Sequence, residues 1–171
     1  CALPISGMRY AEVAGITRDA IDFSNQTISI NKTWDYKYRT GFKKTKTAAS
    51  VRIVTVDTNT ISVLKQYLSF NSVDDFRPIF LVNHRILVST QINQVLKSKL
   101  KELNLPAITF HALRHTHASV LLYKGVSVLS VSKRLGHSNV TTTQSTYLHI
   151  IKELEAQDQS QIIKIIGLVD H

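Results

Sequence analysis

Apolar residues alternate with polar ones in two stretches of the first third of the chain. Residues 27–34 read TISINKTW and residues 50–56 read SVRIVTV, which is the pattern of half-buried strands. In the second stretch Val51 and Ile53 are predicted to share one face. The basic segment between the two stretches predicts a hairpin or a third short strand, and a short helix over residues 6–16 is predicted to come first. Together these elements predict a small antiparallel sheet.

From residue 57 onward the spacing of apolar residues becomes helical. Helices are predicted from Asp57 or Thr58 to the NSVDDFRP stretch, from Ser89 or Thr90 to Pro106, and at residues 110–124, 127–135 and about 139–156. IFLVN, at residues 79–83, predicts a short buried extended piece. Gly125 and Gly136 stand where helix C-caps belong. The predicted fold class is therefore α+β, mainly α, with the small antiparallel sheet near the N-terminal third.

Length and composition fit one compact domain over residues 1–171. The chain is 43% hydrophobic, and no apolar run is long enough to span a membrane. The single cysteine, Cys1, allows no intramolecular disulfide and favours a reducing compartment, so a cytoplasmic location without membrane contact is expected. The chain begins at CALP without a methionine, which favours an excised piece whose leading segment is absent.

The end of the chain is predicted to be an apolar docking segment over residues 157–171. QIIKIIGLVDH, at residues 161–171, is rich in isoleucine and follows the polar run QDQSQ. An apolar tail on a polar tether can dock on its own domain or on a neighbouring subunit, and the sequence leaves both open.

Basic residues outnumber acidic ones and are clustered. Lys and Arg total 21 against 12 Asp and Glu, for a formal net charge of +9. Between Asp35 and Asp57 there are six basic residues and no acidic one. A basic surface can simply keep a protein soluble, but this clustering favours a polyanionic partner such as nucleic acid.

The segment FHALRHTHAS, at residues 110–119, presents His111, Arg114 and His115 on one helical face. A His pair four residues apart can bind a metal, but Arg114 lies between them and no Glu takes the zincin position, so no metal site is predicted. A His and an Arg presented together suit an anionic oxygen instead. Arg9 and Glu12 alone would be an ordinary surface ion pair.

Four segments in this order resemble the tyrosine recombinases, or phage-type integrases. They are SGMRYAE, KTKTAASVRIV, HALRHTHAS and LGHSNVTTTQSTYLH, and they extend over nearly the whole chain. The resemblance implies the recombinase catalytic domain, with most of its leading helix and the upstream core-binding domain absent. It implies a site-specific DNA recombinase that works through a covalent 3′-phosphotyrosine without metal, ATP or any other cofactor.

The resemblance also implies roles for individual residues. The catalytic set is Arg9, Lys46, His111, Arg114, His137 and Tyr147, and Glu12 is the acidic companion of the first arginine. Tyr147 would be the nucleophile, Lys46 the general acid for the leaving oxygen, and His111 the aid to proton transfer from the phenol. The two arginines would grip the phosphate, and His137 would donate a hydrogen bond to it. Further contacts to double-stranded DNA are expected from Lys43, Lys44, Arg52, Lys133 and Arg134.

The sequence leaves other interpretations of the function open. A type IB topoisomerase or a telomere resolvase would share this chemistry. The C-terminal half could instead be a helix-turn-helix module that only binds DNA, although that leaves Arg9, Lys46 and Tyr147 without a reason. Self-association on DNA is expected, with the tail as a candidate contact. His115, His117 and His149 are assigned to structural or supporting positions.

Overall fold

The computed structural model describes residues 6–71 and 74–169, and within them five short strands and seven helices. The strands are β1 (Ile21–Asp22), β2 (Thr27–Ile30), β3 (Lys32–Trp34), β4 (Phe42–Lys44) and β5 (Arg52–Thr55). The helices are α1 (Tyr10–Ala14), α2 (Thr58–Phe70), α3 (Ser89–Glu102), α4 (Phe110–Tyr123), α5 (Val128–Leu135), α6 (Val140–Thr146) and α7 (Leu148–Val169). The predicted fold class is confirmed: helices dominate, and the small antiparallel sheets lie in the first third. No helix among the described residues is both long and apolar enough to cross a membrane.

The strands form two antiparallel sheets rather than one. β2 lies between β1 and β5, with Ile28 opposite Val54, and β3 pairs with β4 as a hairpin. The single strand predicted over residues 27–34 is therefore divided, because its two halves pair with different partners. Val51 precedes β5, and both Val51 and Ile53, which were predicted to share a face, are exposed, while Val54 supplies the buried side of the strand.

The first helix is shorter than the predicted span of residues 6–16. Gly7 has a φ of 81°, in the left-handed region, and Arg9 is extended with ψ 152°. Neither conformation continues a helix, so α1 begins only at Tyr10. Arg9 closes this end, since its backbone N–H donates to the Glu12 carboxylate at 2.7 Å.

The middle of the chain follows the prediction in part. Asp57 caps α2 by accepting from the Thr60 N–H at 3.0 Å, as predicted. Residues 79–83 contain no strand: Ile79 is buried, but Val82 is exposed. The α3 helix begins at Ser89, and none of its side chains is fully buried, although Ile92 packs against the first apolar cluster.

The C-terminal half contains the largest departure from the predicted helices. The helix predicted over residues 139–156 is broken at Tyr147, which separates α6 from α7. The α7 helix then continues through the polar run to Val169, so the predicted tether is wrong and the described part of the tail is helical. Residues 170 and 171 lie outside the described part.

Two apolar clusters hold the elements together. The first surrounds the three-stranded sheet and includes Met8, Ile28, Val54, Ile61 and Ile79. The second lies among the C-terminal helices, and its members are Ala118, Leu122, Val131, Leu135, Tyr147 and Ile150. The N-terminal segment reaches the second cluster at Gly7, where an added Cβ would lie 3.2 Å from a Leu135 methyl carbon. This close approach places the SGMRYAE segment beside the start of the LGHSNVTTTQSTYLH segment.

Candidate active site

Tyr147 occupies the break between α6 and α7 and belongs to the second apolar cluster. It is 3% exposed, and its backbone N–H donates to the Thr143 carbonyl at 3.0 Å. Its hydroxyl lies 2.9 Å from Nδ1 of His115. Burial raises the pKa of Tyr147, and the positive charge of Arg114 opposes that rise. The phenol is therefore neutral near pH 7 and has an imidazole as its partner.

Arg114, on α4, is 4% exposed and makes its contacts inside the protein. Nη1 donates to the carbonyl of Gly7, and Nη2 donates to the carbonyl of Leu135 at 2.8 Å. Burial, followed by the charge of Arg9, lowers the pKa of Arg114 to about 10. The guanidinium still carries its charge near neutral pH, at a point where the N-terminal segment meets α5.

His137 is placed by the glycine that ends α5. Gly136 is left-handed with a φ of 67°, which reverses the chain directly after the helix. Nε2 of His137 lies 3.1 Å from Nη2 of Arg114, and Nδ1 lies 2.8 Å from Oγ1 of Thr143. A guanidinium can only donate, so Nε2 accepts and Nδ1–H donates to Thr143. Burial, followed by the charge of Arg114, lowers the pKa of His137 to about 4, so the ring is neutral.

The predicted phosphate contact of His137 requires a change from this arrangement. Its Nε2 lone pair is occupied by Arg114, so the ring has no N–H on that side to offer an anion. A donor there would need the ring to be protonated or to exchange tautomers. The role assigned to His137 stays a prediction.

Glu12 forms ion pairs with both Arg9 and Arg52. Its side chain is 2% exposed, with Nη1 of Arg9 at 3.0 Å and with Nη1 and Nη2 of Arg52 at 3.1 and 3.0 Å. Burial alone would raise the pKa of Glu12, but the hydrogen bonds and charges of Arg52 and Arg9 outweigh it, and the pKa is lowered. Arg9 also donates to the Gly136 carbonyl at 3.3 Å, and 36% of its side chain remains exposed.

Two of the five predicted DNA contacts have their donors engaged within the protein. Arg52 is 8% exposed and, besides Glu12, its Nε donates to the Arg134 carbonyl at 2.7 Å. Arg134 in turn donates to Nε2 of His117 at 2.8 Å and to the Thr55 carbonyl at 2.9 Å. These contacts give Arg52 and Arg134 an internal role that the sequence did not suggest.

The three predicted lysine contacts lie on exposed positions. Lys43 and Lys44 are in β4, and Lys133 is in the last turn of α5. Lys43 also pairs with Asp35, with 2.6 Å between Nζ and Oδ2. These side chains are accessible to a phosphate backbone, and their contacts with DNA stay predictions.

Lys46 and His111 are the catalytic candidates nearest to solvent. Lys46 is exposed between β4 and the short 3₁₀ turn Ala48–Ser50, and no contact among the described residues joins its ammonium to the arginines. His111 is exposed too, and its ring lies edge-on to the ring of His115 at 4.8 Å between centroids. Burial, followed by the charges of His115 and Arg114, lowers the pKa of His111.

The site is assembled from the N-terminal segment, β5, α4 and the chain from the end of α5 to Tyr147. Arg9 and Arg114 bind the neighbouring carbonyls of Gly136 and Leu135, so both guanidiniums are anchored on the turn that carries His137. Sequence reasoning missed the contact of His115 with Tyr147, although the spacing of His115 and His111 placed both on one helical face. It also missed Thr143, for which a Thr-rich run offers no distinguishing signal.

Comparison with known proteins identifies the same pattern over most of the chain. The profile described as the phage integrase family matches residues 2–153. The integrase of Staphylococcus phage L54a is 30% identical over 176 residues, covering 95% of this chain and 50% of that protein. A tyrosine recombinase XerC-like protein of Caldanaerobacter subterraneus subsp. tengcongensis is 30% identical over 169 residues, covering 85% of this chain and 43% of that protein. The chain spans about half the length of these curated relatives.

Solved structures share the fold. The Tn1549 transposon integrase in complex with circular intermediate DNA aligns with a TM-score of 0.73 at 23% identity, over 84% of this chain and 52% of that one. The XerA recombinase aligns with a TM-score of 0.70 at 24% identity, over 92% of this chain and 53% of that one. At these identities the likeness concerns the architecture, which agrees with the helices and sheets described above.

Proposed function

The chain belongs to the phage integrase family, and we propose that it is the catalytic region of a site-specific DNA recombinase. The proposed reaction cleaves and rejoins DNA strands through a covalent 3′-phosphotyrosine. Its substrate is double-stranded DNA at a recombination or attachment site of a mobile element. The proposed location is the cytoplasm, at the nucleoid when the enzyme acts.

The observation that carries this proposal is the approach of a tyrosine and two arginines to one turn of the chain. The guanidiniums of Arg9 and Arg114 are anchored on the carbonyls at 136 and 135. Tyr147 belongs to the same apolar cluster as Leu135 and lies close enough to Arg114 for that charge to act on the pKa of the phenol. When a phenol attacks a phosphodiester, negative charge grows on the non-bridging oxygens. Two guanidiniums anchored in the protein stabilise that charge.

The remaining candidates supply proton chemistry. A DNA 5′ oxygen leaves poorly unless it is protonated, and the exposed Lys46 on the strand-following segment is the proposed general acid. A covalent phosphotyrosine keeps the phosphodiester, so a 5′ hydroxyl of another strand can reverse the step with little net change in free energy. For that reason the proposed reaction needs no ATP, and the two arginines supply the charge stabilisation that a metal would otherwise give.

Access to Tyr147 is part of the proposal. At 3% exposure the phenol is not open to a phosphate in this conformation. It lies at the break between α6 and α7, and the proposed opening is a local movement there that exposes the phenol without unwinding either helix. We expect DNA binding to speed amide exchange at residues 145–150, whereas a ligand that only covered the surface would slow it.

The decisive experiment uses a nicked suicide duplex built from DNA that flanks the gene. The native-length protein should form a covalent adduct that survives a denaturing gel, and Tyr147→Phe should not. The released 5′ end should be open to a polynucleotide kinase, and the attached 3′ end should resist a 3′ exonuclease. A native protein that binds its site but gives no adduct would overturn the recombinase proposal.

A helix-turn-helix module that only binds DNA is not favoured. The family match begins at residue 2 and so includes the segment that carries Arg9, which a C-terminal binding module would not require. The assay separates the two: Arg114→Lys should lose adduct formation while DNA affinity at low salt changes little, because affinity is spread over many phosphate contacts.

The proposed assembly on DNA uses the far end of α7. Ile162, Ile163, Ile165 and Ile166 are exposed there, an apolar content unusual for a solvated helix. A second copy of this chain is the proposed partner. Replacing Ile162 and Ile166 by Asp should reduce higher-order complexes on DNA in light scattering and leave single-copy binding unchanged; unchanged complexes would refute this contact.

A further inference from the structure

The phenol of Tyr147 has a specific imidazole as its hydrogen-bond partner, and it is not the one suggested by the sequence. Nδ1 of His115 lies 2.9 Å from the phenolic oxygen, and the two ring centroids are 5.9 Å apart. In this conformation the Tyr147 ring packs in the apolar cluster that contains Leu122 and Val131. The hydrogen bond therefore joins a residue at the break between α6 and α7 to one on α4. The proposed movement that exposes Tyr147 has to keep this pair together.

We propose that His115 is the group that takes the proton from Tyr147 during strand cleavage. This inference rests on the proposed function. As the Tyr147 oxygen forms its bond to phosphorus, the P–O5′ bond breaks and the phenolic proton moves to Nδ1 of His115. The 5′ oxygen takes a proton from the general acid proposed above, Lys46. In rejoining, His115 returns the proton to the departing phenol.

The chemistry of the phenol requires such a group. Burial raises the pKa of Tyr147 above its usual value near 10, so the phenolate is scarce at neutral pH. Attack by the neutral phenol would leave a positive charge on its oxygen unless the proton departs. A base at hydrogen-bond distance meets the geometric condition for general base catalysis. His115 is itself exposed, so its proton can exchange with solvent between turnovers.

The groups around His115 explain why His111 is the less suited of the two. His111 lies edge-on to the ring of His115, and the contacts among the described residues do not join it to Tyr147. The lowered pKa of His111 keeps its ring uncharged, so it does not oppose a charge on its neighbour. The other charged or titratable neighbours are Arg114 on α4 and His137 on the following turn. His111 then remains free to contact the phosphate.

The first test separates a proton acceptor from a hydrogen-bond partner. In His115→Asn the amide oxygen replaces Nδ1 and can accept a hydrogen bond, but it cannot hold the proton. Single-turnover cleavage of the nicked duplex by the native-length protein should fall about 100-fold or more, with DNA affinity within about twofold. His149→Asn, on an exposed histidine of α7, is the matched control and should stay within about threefold of the parent.

The second test has a readout that a merely structural role would not move. Fluorotyrosine placed at position 147 has a more acidic phenol and depends less on a base. It should therefore restore cleavage by a larger factor in His115→Asn than in the parent. Equal factors in both backgrounds, or a His115→Asn rate within about threefold of the parent, would overturn the inference.

A third measurement needs no DNA and separates failure of this inference from failure of the proposed function. The ¹⁹F resonance of fluorotyrosine at 147 should shift when His115→Asn removes the imidazole and stay in place in His149→Asn. An unchanged resonance in His115→Asn would refute the contact itself. If the resonance shifts but the parent forms no adduct on its DNA, the recombinase proposal falls and the catalytic role of His115 falls with it.

Discussion

Replacing Arg52 tests whether it holds the site together from inside. This residue was expected to contact DNA, yet its guanidinium binds both oxygens of Glu12 and the carbonyls of Ser50 and Arg134. It thereby connects β5 to α1 and to the end of α5. Arg52→Met keeps the length of the stem and removes the charge and every one of these bonds.

The structure sets the size of the expected effect. Removing one partner of a buried ion pair costs about 3–5 kcal/mol, because the other charge stays buried. Glu12 keeps Arg9, whose side chain is more exposed, so we expect the lower part of that range, about 3 kcal/mol. For a chain of this length that is a fall in Tm of roughly 6–12 °C.

The pH dependence of this loss has a definite sign. The pKa of Glu12 is lowered in the folded protein, so its contribution is present above the unfolded pKa near ~4.3 and is lost as pH falls through the folded pKa. The penalty of Arg52→Met should be largest near neutral pH and shrink in acid.

Chemical and thermal unfolding of the protein without DNA measure this penalty. Arg85→Met, at an exposed arginine, is the matched control and should change the free energy of unfolding by less than about 0.5 kcal/mol. Adding Glu12→Gln to Arg52→Met should cost less than the sum of the two single changes. A penalty for Arg52→Met equal to that of the control would refute the internal role and restore the DNA contact as the better explanation.

Three further outcomes follow from other parts of the structure. Gly136→Ala should destabilise the protein more than Gly125→Ala in thermal unfolding. Both glycines are left-handed, with φ of 67° at Gly136 and 82° at Gly125. Of these two positions, only Gly136 would bring the new Cβ against another atom, a guanidinium nitrogen of Arg52 at 2.8 Å. The free energy of unfolding should fall as pH drops from ~6.5 towards 4. Folding lowers the pKa of His117 and of His137 to about 4, so the unfolded chain takes up those protons first. Replacing both histidines by Gln should flatten the dependence of the free energy of unfolding on pH over this range. Lys133→Ala should reduce the slope of log affinity against log salt by about 1 in DNA titrations if this lysine contacts one phosphate, and an unchanged slope would remove it from the interface.

The order of the elements and the identity of the motif residues could be predicted from the sequence. Asp57 marks the start of α2 and Gly136 the end of α5, because both signals act within one turn of helix. The break at Tyr147 had no such signal. It lies in a Thr-rich stretch that suits either helix or turn, and tertiary packing of the tyrosine decides the outcome.

Charge was the least reliable guide to the site. Arg52 and Arg134 belong to the basic excess that indicates a polyanionic partner, yet both donate hydrogen bonds to acceptors inside the protein. Whether a basic side chain bonds inside the protein depends on the position of acceptors such as Glu12 and the carbonyl of Thr55. The pattern of residues in one sequence does not contain that information. The same limit applies to His115, whose partner is 32 residues away in the chain.

Peptide mapping of the covalent complex tests the central claim most directly. After reaction of the native-length protein with the nicked duplex and digestion of the DNA and protein, mass spectrometry should find a nucleotide joined through its 3′ phosphate to the peptide that contains Tyr147. Linkage to any other residue, or cleaved DNA with a free 3′ phosphate and no linked peptide, would contradict the assignment of Tyr147 as the nucleophile.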